Sequence, residues 1–129
     1  THFYVNASRC EGLCLPLMEY MACGKPSISP CHTAMADYVN SSSTFIVDSS
    51  IEPCMWPHDP RSIFRSMRYR IDWDSLVNTF RTSYKIAKTR TDVYQEMAKS
   101  ASLLMKKFAS NLVVEEQLRN FFAEELGRK

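Results

Sequence analysis

A helix whose two ends are both written into its residues constrains this chain more than any other feature. Pro16 suits the first turn of a helix, because its missing N–H costs nothing there and its φ is already helical. Gly24 stands where a left-handed C-terminal cap is wanted, and Pro26 blocks continuation. Upstream, Phe3-Tyr4-Val5 has the length and β-propensity of a buried strand. A loop carrying Glu11 and Gly12 joins that strand to the helix.

The start of this helix lacks its usual cap. The spacing puts Leu15 at the N-cap, where Ser, Thr, Asp or Asn would normally satisfy the free amides. Free amides at the positive end of a helix, reached from a strand through a glycine-bearing loop, favour an anion such as a phosphate. Glu11 folding back to cap the helix is the other reading of the same residues.

Glu11 and Glu19, with seven residues between them, resemble the Glu-x7-Glu motif of retaining GT-B glycosyltransferases that use nucleotide sugars. The flanking residues are similar to that family too. Glu-Gly-x-x-Leu-Pro-Leu-x-Glu-x-Met-Ala-x-Gly-x-Pro is matched from Glu11 to Pro26, within a stretch of similarity over residues 2–48. The family usually has glycine where Cys14 stands. The resemblance implies an α/β fold, a partial Rossmann-like parallel sheet belonging to the C-terminal, donor-binding domain. It further implies that the acceptor-binding domain and the earlier donor-domain strands lie in an N-terminal part of the same protein. Residues 1–59 would be the nucleotide-sugar-binding portion, and residues 60–129 a helical segment packed on it.

The resemblance also implies roles. Glu11 would lie beside the donor sugar as the catalytic carboxylate, and Glu19 would accept hydrogen bonds from the nucleotide ribose. Gly12 and the amides of Leu13, Cys14 and Leu15 would face the diphosphate or the sugar hydroxyls. The reaction implied is transfer of a sugar, with retention, to a glycan or lipid-linked acceptor in bacterial surface-polysaccharide assembly. No metal or other cofactor is expected, and the 129 residues alone are expected to be inactive. A non-catalytic nucleotide-sugar-binding or protein-interaction module that keeps the fold is the competing function. Independently of any family, Glu19 could simply complement the helix dipole, worth about 0.3–1 kcal/mol.

The rest of the first half reads as further βα units. Pro26 to Pro30 is a short strand fenced by prolines, which strand ends tolerate. Thr33 is a plausible N-cap for a helix over 33–39, and Phe45-Ile46-Val47 is a third strand. Ligands of α/β sheets gather at the carboxyl ends of strands, so His32 and Thr33 are candidates to line the donor cleft. For His32, a place in a surface loop is the alternative. The proline- and aromatic-rich stretch 52–60 reads as a connector, with Trp56 packed onto the sheet end or a partner domain.

From Asp59-Pro60 onward the spacing predicts helices. Apolar stripes at i, i+3, i+4 and i+7 run through Ile63, Phe64 and Met67, then Trp73, Leu76, Val77, Phe80 and Tyr84. A third runs through Tyr94, Met97, Ala98, Ala101, Leu104, Met105 and Phe108, and a fourth through Val114, Leu118, Phe121 and Phe122. All four are expected to be core. Asp74, Asp92 and Asn111 are expected N-caps, and Gly127 a C-cap. Asp72-Trp73-Asp74 mimics a metal-binding Asp-x-Asp, but a place at a helix start favours capping over cation binding.

Charge separates the halves. Residues 1–60 carry two basic and six acidic side chains, and residues 61–129 carry fourteen and eight. Arg61, Arg65 and Arg68 would share a helix face beside Arg70. A solvated face explains such a run, and attraction to an anionic membrane or an acidic neighbouring domain is the alternative. No nucleic-acid-binding motif accompanies the charge. The five cysteines follow no disulfide or Cys-x-x-Cys spacing, which suits reduced thiols and a cytoplasmic place, with peripheral contact at the inner membrane face.

Overall fold

A computed structural model describes residues 1–55, 57–61, 63 and 65–127, with Glu125 described in its backbone alone. The expectations for Trp56 and Phe64 therefore lie outside the described residues.

Three short strands form a parallel sheet in the order β1-β2-β3: β1 (Tyr4–Val5), β2 (Ser27–Pro30) and β3 (Thr44–Val47). Tyr4 stands opposite Ser27, and Ser27 opposite Thr44. Parallel neighbours need crossovers. Helix α1 (Leu15–Ala22) supplies the first, and a 3-10 helix over Thr33–Asp37 the second. The strand and helix positions read from the sequence thus recur, with the expected second helix tightened to 3-10 geometry. The central strand β2 is wholly buried. Its small Ser27 and Ser29 face α1, and Ser27 bonds the Thr44 hydroxyl at 2.8 Å.

Two cores clasp this sheet. On one face, Leu17 and Met21 of α1, one turn apart, meet Met35, Tyr38 and Val39 below and Ala101 and Met105 of α3 (Thr91–Ala109) alongside. On the other, Ile28 and Val47 pack on Leu76 of α2 (Trp73–Thr89), with Phe3 and Phe45 at the edge. Tyr94 closes the far end, donating to the His2 carbonyl at 3.0 Å and meeting Phe3 edge to face. Burying side chains such as Leu17 and Met21 contributes about 1.5–3 kcal/mol each.

The helical reading from residue 60 does not hold over residues 65–71. Instead β4 (Ser49–Met55) and β5 (Arg65–Ile71) pair antiparallel, from Ser49 opposite Ile71 to Met55 opposite Arg65. Met67, Tyr69 and Ile71 alternate with Ser66, Arg68 and Arg70, a period of two that places them on opposite faces. The arginines therefore form no helical stripe, and Arg68 lies across from Glu52, which it bonds at 2.8 Å. The division at residue 59 also falls inside this hairpin, whose strands come from both sides of it.

The stripes fare unequally. That of α3 is core, as expected. In α2 only Leu76 of the expected stripe is buried, while Trp73, Phe80 and Tyr84 are exposed. In α4 (Asn111–Gly127), Val114, Leu118, Phe121 and Phe122 are all exposed. Periodicity shows that a helix has an apolar face, not that anything covers it.

Caps also shift. Asp72, rather than Asp74, caps α2 by accepting the Ser75 amide at 2.7 Å. Asp92 lies inside the first turn of α3, paired to Arg90, and the Ser110 hydroxyl, one residue before Asn111, accepts the Val113 amide at 3.4 Å. Among the described residues no helix is long and apolar enough to cross a membrane.

Candidate functional site

The loops that leave β1 and β2 meet at the carboxyl ends of the parallel strands, where α/β sheets place their ligands. The first is shaped from its root. Buried Asn6 gives its backbone amide to Ile28 and accepts the Ser8 amide on its side chain at 3.1 Å, an Asx turn that bends the chain outward. Arg9 then runs beside β5: the Tyr69 amide donates to the Arg9 carbonyl at 2.8 Å, and the Arg9 guanidinium reaches the Tyr69 carbonyl and the Glu52 carboxylate. The hydrogen bond from Arg68, and then the Arg9 charge, hold the Glu52 carboxyl below its ordinary pKa.

Glu11 follows, half-buried. Its amide donates to the Thr33 hydroxyl at 3.2 Å, and that hydroxyl donates onward to the His32 carbonyl at 2.8 Å. Thr33 is held at φ 49°, in the left-handed region. His32 is 3% exposed, and its ring lies flat on Tyr69, with centroids 4.2 Å apart and planes 11° from parallel. Its Nε2 is buried with no hydrogen-bond partner among the described residues. Burial lowers the His32 pKa, against the opposing pull of the Ser8 and His32 carbonyls and the Glu11 charge, and favours the neutral imidazole.

The helix start lies one residue earlier than the spacing suggests. Cys14 is the N-cap, at φ 57° and ψ 58°, and Leu15 and Pro16 open the helix. Among the described residues no side chain caps it. The Leu17 and Met18 amides turn back to the Cys14 carbonyl, and Pro16 has no amide proton. The amides of Leu13, Cys14 and Leu15 find no acceptor among the described residues. Cys14 itself is buried, which pushes its thiol pKa up. The Tyr38 hydroxyl donates to the Leu13 carbonyl at 2.7 Å from a buried position, and burial raises its pKa strongly. Around Gly12 the space is open.

Glu19 is exposed one turn into α1, on the strip with Leu15, Met18 and Ala22. With Leu13 and Leu15 it lines a groove of about 480 Å³, closed on its other side by Ser102, Met105, Lys106, Ala109 and Ser110. The structure thus joins Glu11, Thr33 and His32 directly, and groups Glu19 with Leu13 and Leu15. Among the described residues no group of three or more His, Cys, Asp or Glu could hold a metal ion.

Sequence reading missed Asn6, Arg9, Tyr38 and Tyr69. The signal for Tyr69 was the alternation along 65–71, which a helical reading overrode. No protein-family model, no curated protein and no solved structure matches the chain.

Proposed function

We propose that this chain carries part of the donor site of a retaining, metal-independent glycosyltransferase of the GT-B kind. One observation carries the reading: three unpartnered amides, Leu13 to Leu15, stand at an uncapped helix start between Glu11 and Glu19. The amides and the helix dipole suit the diphosphate of a nucleotide sugar. Glu19 suits the ribose hydroxyls, and Glu11 the sugar, where positive charge develops as the nucleotide diphosphate departs. His32 and Thr33 support Glu11 from the neighbouring loop. The departing phosphate would take the acceptor's proton, so attack would come on the face the leaving group vacates. A glycan or lipid-linked acceptor, bound with the N-terminal domain, completes the proposal.

Cys14 favours a second reading, a nucleotide-sugar-binding module without catalysis, because a side chain stands in a left-handed position next to the ligand amides. A thermal-shift screen of the complete protein against UDP-, GDP- and ADP-sugars tests both. A donor at one hundred times its Kd should stabilise by about 2.7 kcal/mol. Stabilisation with turnover supports the enzyme, and stabilisation without it supports the module. No stabilisation by any of the three sinks both.

A further inference from the structure

We infer that Tyr69 is a positioning residue for Glu11, acting through the ring of His32; the inference rests on the donor-site reading for what Glu11 does, but not for how it is held. Glu11 has two tethers. One is its amide bond to Thr33, whose hydroxyl is fixed in turn by the His32 carbonyl. The other is Arg9, two residues upstream, bound to the Tyr69 main chain. Tyr69 touches both. Its ring covers one face of His32 and its backbone borders Arg9, so the hairpin forms a wall of the site.

His32 needs such a wall. Its polar contacts are the Thr33 hydroxyl, 3.3 Å from Nδ1, and the Ser8 and His32 carbonyls, while Nε2 has no partner among the described residues. A flat ring held by polar contacts on one side is oriented largely by what it stacks against on its face. Removing the Tyr69 ring frees His32 to turn, loosens the Thr33 turn that follows it, and releases the Glu11 amide. Glu52, bonded to both Arg9 and Arg68, keeps the hairpin against the loop while this happens. Tyr69 therefore acts at one remove.

The test compares Tyr69→Ala and Tyr69→Phe in the full-length protein by amide hydrogen exchange, with Ile28 in the central strand as the internal reference. Tyr69→Ala should speed exchange at Glu11 by about tenfold, the size set by one aromatic pair, and leave Ile28 unchanged. Tyr69→Phe should behave as wild type, because the ring and not the hydroxyl does the holding. No change at Glu11, or equal acceleration at Glu11 and Ile28, overturns the inference. With whichever of the UDP-, GDP- or ADP-sugars supports turnover, Tyr69→Ala should lower kcat with donor KM nearly constant. An unchanged kcat also overturns it. Should wild type bind none of these donors, the donor-site reading fails, while the exchange experiment still decides the role of Tyr69.

Discussion

The Thr33 hydroxyl accepts the Glu11 amide at 3.2 Å, joining the loop that leaves β1 to the loop that leaves β2. The backbone of Glu11 is thereby anchored without use of its carboxylate, and its charge bears on His32, Cys14, Tyr38 and Tyr4. A carboxylate held by its main chain remains available to a ligand.

Under the proposed function, that arrangement should separate the two glutamates kinetically in the complete protein. Glu19→Ala should raise donor KM with little change in kcat, because the ribose contacts proposed for it would be equal in ground and transition states. Glu11→Ala should chiefly lower kcat, by about 100-fold if its carboxylate opposes charge developing at the sugar. Steady-state kinetics on both variants check this, and a near-wild-type kcat for Glu11→Ala removes the role assigned to it.

At Cys14 the usual order of glycine and alanine should reverse. The left-handed conformation costs a residue with a Cβ about 1–2 kcal/mol, whereas glycine's extra chain entropy costs about 0.5–1 kcal/mol. Both substitutions lose the buried thiol. Cys14→Gly is therefore expected to unfold at a higher urea concentration than Cys14→Ala. The reverse order in equilibrium denaturation would show that the conformation is not strained.

Protonating His32 should destabilise the fold. Burial lowers its folded pKa below the ordinary 6.5, so between the two values the unfolded chain binds a proton that the folded chain does not. The contribution is full above 6.5 and is lost as pH falls through 6.5 toward the folded value. The difference in unfolding free energy between wild type and His32→Phe should shift over that window, with wild type losing relative stability in acid. A difference independent of pH contradicts the assignment.

The Asp72 carboxylate is occupied in capping α2, where it accepts the Ser75 amide. Asp72→Ala should cost about 1 kcal/mol and Asp72→Asn much less, since asparagine caps as well as aspartate. Thermal unfolding of the two variants, with and without magnesium or manganese, separates capping from cation binding. Stabilisation by either metal that vanishes in Asp72→Asn would point to the cation.

The parallel strands were legible because short apolar runs fenced by prolines and a two-ended helix leave little choice of topology. Glu11, His32 and Thr33 were legible as neighbours for the same reason, since their loops follow adjacent strands. The hairpin was not. Ile63, Phe64 and Met67 fit a helical period, while Met67, Tyr69 and Ile71 fit a strand period, and only the distant partner β4 decides between them. Tyr69 was hidden with it. Cys14 shows a different limit: a resemblance can mark the place as one for glycine, but the dihedral itself depends on how α1 is seated.

The seating of α1 on α3 carries a consequence for biosynthesis. Leu17 and Met21 share a core with Ala101 and Met105, and the Tyr94 hydroxyl bonds the carbonyl of His2, 92 positions away. Synthesis runs from the N-terminus, so the glutamate-bearing loop leaves the ribosome long before the helix that buttresses it. Until α3 follows, the apolar side of α1 has no cover from it, and the nascent segment is open to chaperones. The end of the sheet that carries Glu11 is thus translated before the helix that completes its core.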